Sequence, residues 1–374
     1  MKDRPHYDAR PMRNESLSFL TRLLETPTPS GFEAPGQRLW MEYVKPFADR
    51  VWSDAHGNCF AAIEPSGAAR TLAICGHCDE IGLMVNHVDA QGFVYCRAIG
   101  GIDAGSIVGK RIRFQSSVPG VTEPVTGLIG ATAIHLQDKS AEGKVRKLHE
   151  LFIDIGAKDQ ASALARLNIG DPGVFADGPM AMGDGLLVAR ALDNRIGIFA
   201  AAEALRLVHA ERSRLKVRVV AVSTVQEEVG LHGAAMIAQS LAPDLAFVTD
   251  VGHATDSPGI SHAQHGQFKL GGGPKLAVGL PVHAACTRML AESAVAQGIT
   301  VQRSATAGRS GTDTDAIFLR NGGIPCGLVS LPIRYMHTTV ELCALKDLEQ
   351  IGQVFAGAAL AMTGHESLQA IGTA

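Results

Sequence analysis

Hydrophobic and polar positions along this chain fall into two textures. Residues 14–24, Asn-Glu-Ser-Leu-Ser-Phe-Leu-Thr-Arg-Leu-Leu, carry apolar side chains three and four apart, which predicts an amphipathic helix. The turn-rich Thr26-Pro27-Thr28-Pro29-Ser30 ends it. Four later runs are apolar, rich in β-branched residues, and stop abruptly at polar ones. They cover 71–75 before Gly76 and His77, 217–225 before Gln226, Glu227 and Glu228, 245–249 before Asp250, and 326–331 leading to Tyr335, Met336 and His337. Such runs predict strands buried on both faces. Helical periodicity at 194–208, 287–296 and 345–360 separates them, and this alternation predicts an α/β sheet covered on both sides.

The stretch 84–176 is different. Short strand patterns at 92–98, 110–115, 125–129 and 150–155 are punctuated by Gly and Asp, with one helical patch near 161–167. It reads as a β-rich domain inserted into an α/β domain built from 1–83 and 177–374.

Composition narrows the function. A formal charge of -3 offers no basic excess to hold a phosphate backbone, so nucleic acid is not expected as a partner. No apolar run reaches the roughly 18–20 residues of a membrane helix. The opening 1–14, with Asp3, Arg4, Arg10 and Arg13, lacks the apolar core of a signal peptide, and the expected location is cytoplasmic. Seven scattered cysteines, an odd number mostly inside apolar runs, read as reduced buried thiols. Cys75-Gly76-His77-Cys78 has no second C-x-x-C to complete a zinc site. The one-motif signatures H-E-x-x-H, G-x-S-x-G, the P-loop and G-x-G-x-x-G are absent. Neighbouring glutamates cannot flank a glycosidic bond at the required separation.

Chemistry-bearing residues sit where α/β sheets collect them, at the carboxyl ends of strands: His77, Glu227, Glu228 and Asp250, with His337 beyond a fourth. Asp193 precedes a helix. Each has an ordinary use alone, as a helix cap, a turn former or a solvated strand end. Together, two imidazoles and four carboxylates suit a pair of borderline divalent ions such as zinc or cobalt. Spacing alone leaves both uses open. Adjacent side chains on extended backbone point oppositely, so Glu227 and Glu228 can face one point only if the chain turns, which Gly230 permits. His253, His262 and His265 read as a surface or subsite loop.

Four blocks in order, His77-Cys78-Asp79-Glu80-Ile81-Gly82, Ala191-Leu192-Asp193-Asn194-Arg195-Ile196-Gly197, Gln226-Glu227-Glu228-Val229-Gly230-Leu231 and Arg334-Tyr335-Met336-His337, closely resemble the signature blocks of the tetrahedral aminopeptidases. These form the glutamyl and deblocking metallo-aminopeptidase family of the MH clan. Leu151–157, Gly271-Gly272-Gly273-Pro274 and Gly311-Thr312-Asp313 extend the resemblance from about residue 17 to 360. It implies a mixed-sheet, three-layer, phosphorylase/hydrolase-like domain with an inserted small β-barrel that helps subunits assemble, typically into a dodecamer. It further implies two divalent metal ions per subunit, zinc or cobalt. His77 and Asp250 would hold one, Glu228 and His337 the other, and Asp193 would bridge them. Asp79 would orient the His77 imidazole, and Glu227 would be the general base for a metal-bridging hydroxide attacking peptides with free N-termini. Cys78, Ser310 and Thr338-Thr339 depart from the usual pattern and bear on specificity rather than on the ligands. Two other readings use the same residues: a carboxypeptidase or deacylase of the same clan, and an assembly protein that has kept the fold without activity.

Overall fold

The computed structural model describes residues 12–136 and 144–371. Residues 1–11, most of the segment read for a signal peptide, lie outside them.

Four parallel strands form the centre of a mixed sheet: Arg218–Thr224, Thr71–His77, Leu245–His253 and Cys326–Arg334, adjacent in that order. Antiparallel strands Cys59–Ile63 and Arg50–Ser53 extend one edge, and Glu341–Ala344, Leu186–Ala189 and Met180–Met182 extend the other. Lys275–Leu280 pairs antiparallel with Cys326–Arg334 and parallel with Gln302–Ala307, branching off the main path. The strand containing Asp250 runs on to His253, past the expected end at 249, because its pairing with Cys326–Arg334 continues to His253 opposite Ile333.

Period-two alternation divides the apolar side chains between two faces. Leu72, Ile74, Val219, Ala221 and Phe247 pack under helices Asn14–Glu25, Ala34–Val44, Leu192–Ala210 and Leu345–Ala361. Ala73, Cys75, Val220, Val222 and Val248 pack under His232–Ser240 and Thr314–Ile317. The result is a three-layer mixed α/β architecture. Helix Leu192–Ala210 lies so close to Thr71–His77 that a Cβ on Gly76 would stand 2.5 Å from the carbonyl carbon of Gly197. That approach requires glycine on the strand.

Between Thr71–His77 and the sheet's later strands the chain forms a closed antiparallel barrel. Its order is Gly82–Val88, Val94–Ile99, Phe152–Asp154, Val125–Gly130, Arg111–Phe114 and Pro172–Phe175. Leu83, Val85, Ile112, Phe114 and Ile153 fill it. All seven cysteines are free and buried, and burial pushes the Cys59, Cys78 and Cys286 thiols up to about 12. Among the described residues no helix is long and apolar enough to cross a membrane.

One buried ionic knot ties the first helix to the turn that follows His77. Glu80 pairs with both Arg190 and Arg195 and accepts the Thr28 amide at 3.0 Å. Arg195 also donates to the carbonyls of Leu23 and Cys78, and Arg190 to that of Glu25. All three charged groups are buried. Removing one partner strands the others' charge, which costs more than the pair's own attraction. Glu80→Gln is therefore expected to lower the unfolding free energy by about 3–5 kcal/mol, measured by chemical denaturation. A loss below 1 kcal/mol would show that the guanidiniums find other partners.

Candidate metal centre

Five segments bring the chemistry-bearing side chains to one cavity of about 650 Å³. The strand Thr71–His77 ends with His77 fully buried. Its Nδ1 faces Asp79, 3.2 Å from the backbone carbonyl and 3.4 Å from Oδ1, which leaves Nε2 directed into the cluster. Nε2 lies 3.3 Å from Asp193 Oδ1, 3.7 Å from Glu227 Oε2 and 3.8 Å from Asp250 Oδ1. His337 Nε2 stands 3.3 Å from the other Asp193 oxygen and 3.6 Å from Glu228 Oε2.

These separations identify what the arrangement can hold. Hydrogen bonds between such groups close to about 2.7–3.2 Å. Donor atoms sharing one four-coordinate ion at bonds of about 2.0–2.2 Å stand roughly 3.3–3.6 Å apart. The chemistry is nitrogen and oxygen, and Glu228 Oε1 is buried without a hydrogen-bond partner. Among the described residues, two groups have donor atoms within mutual ligating reach: His77, Glu227 and Asp250, and His77, Asp193 and Glu228. The residues fit divalent cations.

Electrostatics point the same way. Burial first, then Asp193 nearby, pushes Glu228 up to about 10, and burial with Asp313, Asp193 and Asp79 pushes Glu227 up to about 8. Burial also drives Asp250 well above the usual carboxylate range. So many carboxylates cannot ionise together without a counter-charge.

The turn carrying the two glutamates differs from the sequence expectation. Gly230 lies in it at φ +135°, as expected, but the chain reverses first at Gln226, at φ +56°, with Leu231 at +59°. Asp79 then accepts the amides of both Glu227 (3.0 Å) and Glu228 (3.2 Å), and Ser30 donates to it at 2.6 Å. Asp79 thus fixes the glutamate turn as well as facing His77. Asp193 does not cap its helix, which takes up helical geometry only after Asn194. A cis peptide joins Asp193 and Asn194.

Three contributors had no signal as motifs. Gly100 and Gly101 come from the barrel: Gly101 accepts from His337 Nδ1 (2.9 Å), and a Cβ on Gly100 would meet the Glu228 side chain. The paired glycines were the trace they left in the sequence. Glu341, buried on a strand, accepts the amides of Asp193 (3.1 Å) and His337 (2.9 Å). Glu341→Gln keeps the shape but supplies one acceptor where two amides converge. Metal affinity is expected to fall about 10- to 100-fold, the usual effect of such supporting groups, measured by competition with a chelator. Undiminished affinity would leave Glu341 with a structural part only. The histidine-rich loop contributes His253 to the cavity wall, while His262 bonds the Thr255 carbonyl; among the described residues neither His262 nor His265 joins a ligating group.

The model of the M42 glutamyl aminopeptidases matches residues 57–354. The chain belongs to this family. It is an aminopeptidase, a hydrolase of peptide bonds. A relative from Acetivibrio thermocellus is 33% identical over 85% of this chain and 91% of its own length. A lysyl aminopeptidase of Pyrococcus furiosus is 29% identical over 88% of this chain and 93% of its own. Among solved structures, the TET1 peptidase of Pyrococcus horikoshii, which can assemble into a tetrahedron or a large octahedral shell, superposes with a TM-score of 0.81. It is 30% identical, covering 93% of this aminopeptidase and 100% of that chain. The family is metal-dependent, in keeping with the donor cluster.

Proposed function

We propose that this aminopeptidase removes N-terminal residues from peptides with free N-termini, using two divalent cations per subunit, zinc or cobalt. The observation that carries it is the convergence of two imidazoles and three carboxylates on one cavity, with the two oxygens of Asp193 each 3.3 Å from a different imidazole. His77 and Asp250 would hold one ion, Glu228 and His337 the other, and Asp193, whose two oxygens face the two imidazoles, would bridge them. This division would offer each ion one imidazole, a shared carboxylate and a carboxylate of its own.

When bound, the ion pair supplies Lewis acidity at the scissile carbonyl and acidifies a water to the hydroxide nucleophile. Glu227 is the carboxylate left over from this division. It takes the water's proton and returns it to the leaving amine, as a general base and then a general acid. Asp79 holds the His77 ring and the Glu227-Glu228 backbone so that both carboxylates keep their aim. His337 donates through Nδ1 to Gly101, which leaves Nε2 as the free donor atom.

In the same reading 1–83 and 177–374 form the catalytic domain and 84–176 an assembly domain. The protein works as a cytoplasmic homo-oligomer, a dodecamer like that of the solved PhTET1 structure. Light scattering of the purified protein tests that part, and a monomer would overturn it. The activity is tested by a panel of aminoacyl-p-nitroanilides and their N-acetylated counterparts on zinc- and cobalt-loaded protein. Cleavage of free but not blocked substrates is expected. Release of acetate from the blocked substrates without nitroaniline would make it a deacylase, and inertness towards all would remove the catalytic reading.

A further inference from the structure

The cavity that holds the donor cluster also holds one buried cation. Lys275 is 9% exposed. On the sheet it pairs with Ser330, which in turn pairs with Asp250, so the three residues form one row across adjacent strands. Residues in a row share a face, and all three line the cavity. The ammonium lies over Gly252, two residues beyond Asp250 on that face; a Cβ there would come within 2.9 Å of Nζ.

Its surroundings leave the charge unbalanced. Nζ donates to the His253 carbonyl at 3.2 Å and sits 4.2 Å from the centroid of the Phe268 ring. No carboxylate among the described residues pairs with it, and one N–H direction remains. Burial lowers its pKa to about 8, so it stays protonated at neutral pH. A buried charge without a counter-ion is costly, and an anion arriving in the cavity would relieve it. Ser304 and Thr306 on the neighbouring strand and Arg309 also line the cavity; Arg309 is 84% exposed and already faces Asp315 at 3.5 Å.

We propose that Lys275 forms an anion subsite that holds a carboxylate of the substrate beside the hydrolytic cluster. The proposal rests on the aminopeptidase reading above and adds the charge of what is bound. Two strand spacings, about 10 Å, separate the Lys275 and Asp250 backbones. Either an acidic N-terminal side chain or the C-terminal carboxylate of a short peptide can bridge that span. The family includes relatives named for acidic and for basic N-terminal residues, so membership does not decide the charge.

Two substrate pairs separate the sources: L-Glu- against L-Gln-p-nitroanilide, and L-Ala-L-Ala against L-Ala-L-Ala amide. In the metal-loaded wild type, the anionic member of at least one pair is expected to show the higher kcat/KM. Lys275→Met should reduce that ratio about 10- to 100-fold, the range of a charge-assisted hydrogen bond, mainly through KM, and leave the neutral member within about twofold. A change in the first pair assigns the side-chain carboxylate, and one in the second the C-terminal carboxylate. Equal loss for both members of each pair would make Lys275 a packing residue and overturn the subsite. Should Lys275→Met not fold, wild-type ratios below about twofold in both pairs overturn it, and larger ones retained by Lys275→Arg support it. Calorimetric titration with glutarate keeps the subsite distinguishable from the reaction. Saturable binding abolished by Lys275→Met supports it whether or not peptides are cleaved, and equal or absent binding in both proteins overturns it.

Discussion

Glu227→Gln is expected to lower kcat by about 10²- to 10⁴-fold, the contribution of a positioned general acid–base group, while the protein keeps its bound metal. The substitution preserves volume, and the Glu227 amide would still donate to Asp79 at 3.0 Å, so the turn should hold. What it removes is the carboxylate that the proposed division of ligands leaves over. The surroundings make this a sharp test. Glu227 Oε2 is 3.7 Å from His77 Nε2, close enough to belong to a ligating group with His77 and Asp250. Kinetics and elemental analysis on the same preparation separate the two uses. Lost turnover with intact metal content marks a base, lost metal moves Glu227 among the ligands, and unchanged hydrolysis removes it from the chemistry.

The division between what the sequence revealed and what it hid follows the range of the contacts. Strands such as Cys326–Arg334 and the long helix Leu192–Ala210 were legible because burial on every side leaves continuous apolar runs. Most cluster residues were legible because they end or follow those runs, and Asp193 because it precedes a helix. Cys59–Ile63 escaped notice: two alanines and a single β-branched residue give it little strand signal, and its burial depends on pairing with Arg218–Thr224. The glutamate turn was half legible. Adjacency of Glu227 and Glu228 demanded a reversal, yet a glycine signal pointed to Gly230, whereas Asp79, 148 positions earlier, holds the turn through the Glu227 amide and Gln226 takes the left-handed conformation. Gly101 meeting His337 across 236 positions, and Glu341 spanning the Asp193 and His337 amides, leave no local pattern that ties them to the site. Lys275 is read only from sheet register, since its row with Ser330 and Asp250 joins three strands distant in sequence.

Replacing His337 by Ala is expected to reduce bound metal from two equivalents per chain to about one, whereas Asp193→Ala should lose both. His337 sits on a loop at φ +59°, with its side chain 37% exposed, held by Gly101 on the barrel and by Glu341 through its amide. Truncating it leaves the core untouched, so stability should change by no more than about 1 kcal/mol. It nevertheless removes an imidazole that stands 3.6 Å from Glu228 and 3.3 Å from the second oxygen of Asp193. His77 and Asp250, on neighbouring central strands and both buried, would keep their ion. Asp193 is different because each of its oxygens faces a different imidazole, at 3.3 Å in both cases. Elemental analysis after dialysis reads both outcomes directly. Two equivalents retained by His337→Ala would remove the imidazole from the second set, and one equivalent retained by Asp193→Ala would mean that the two ions do not depend on a shared carboxylate.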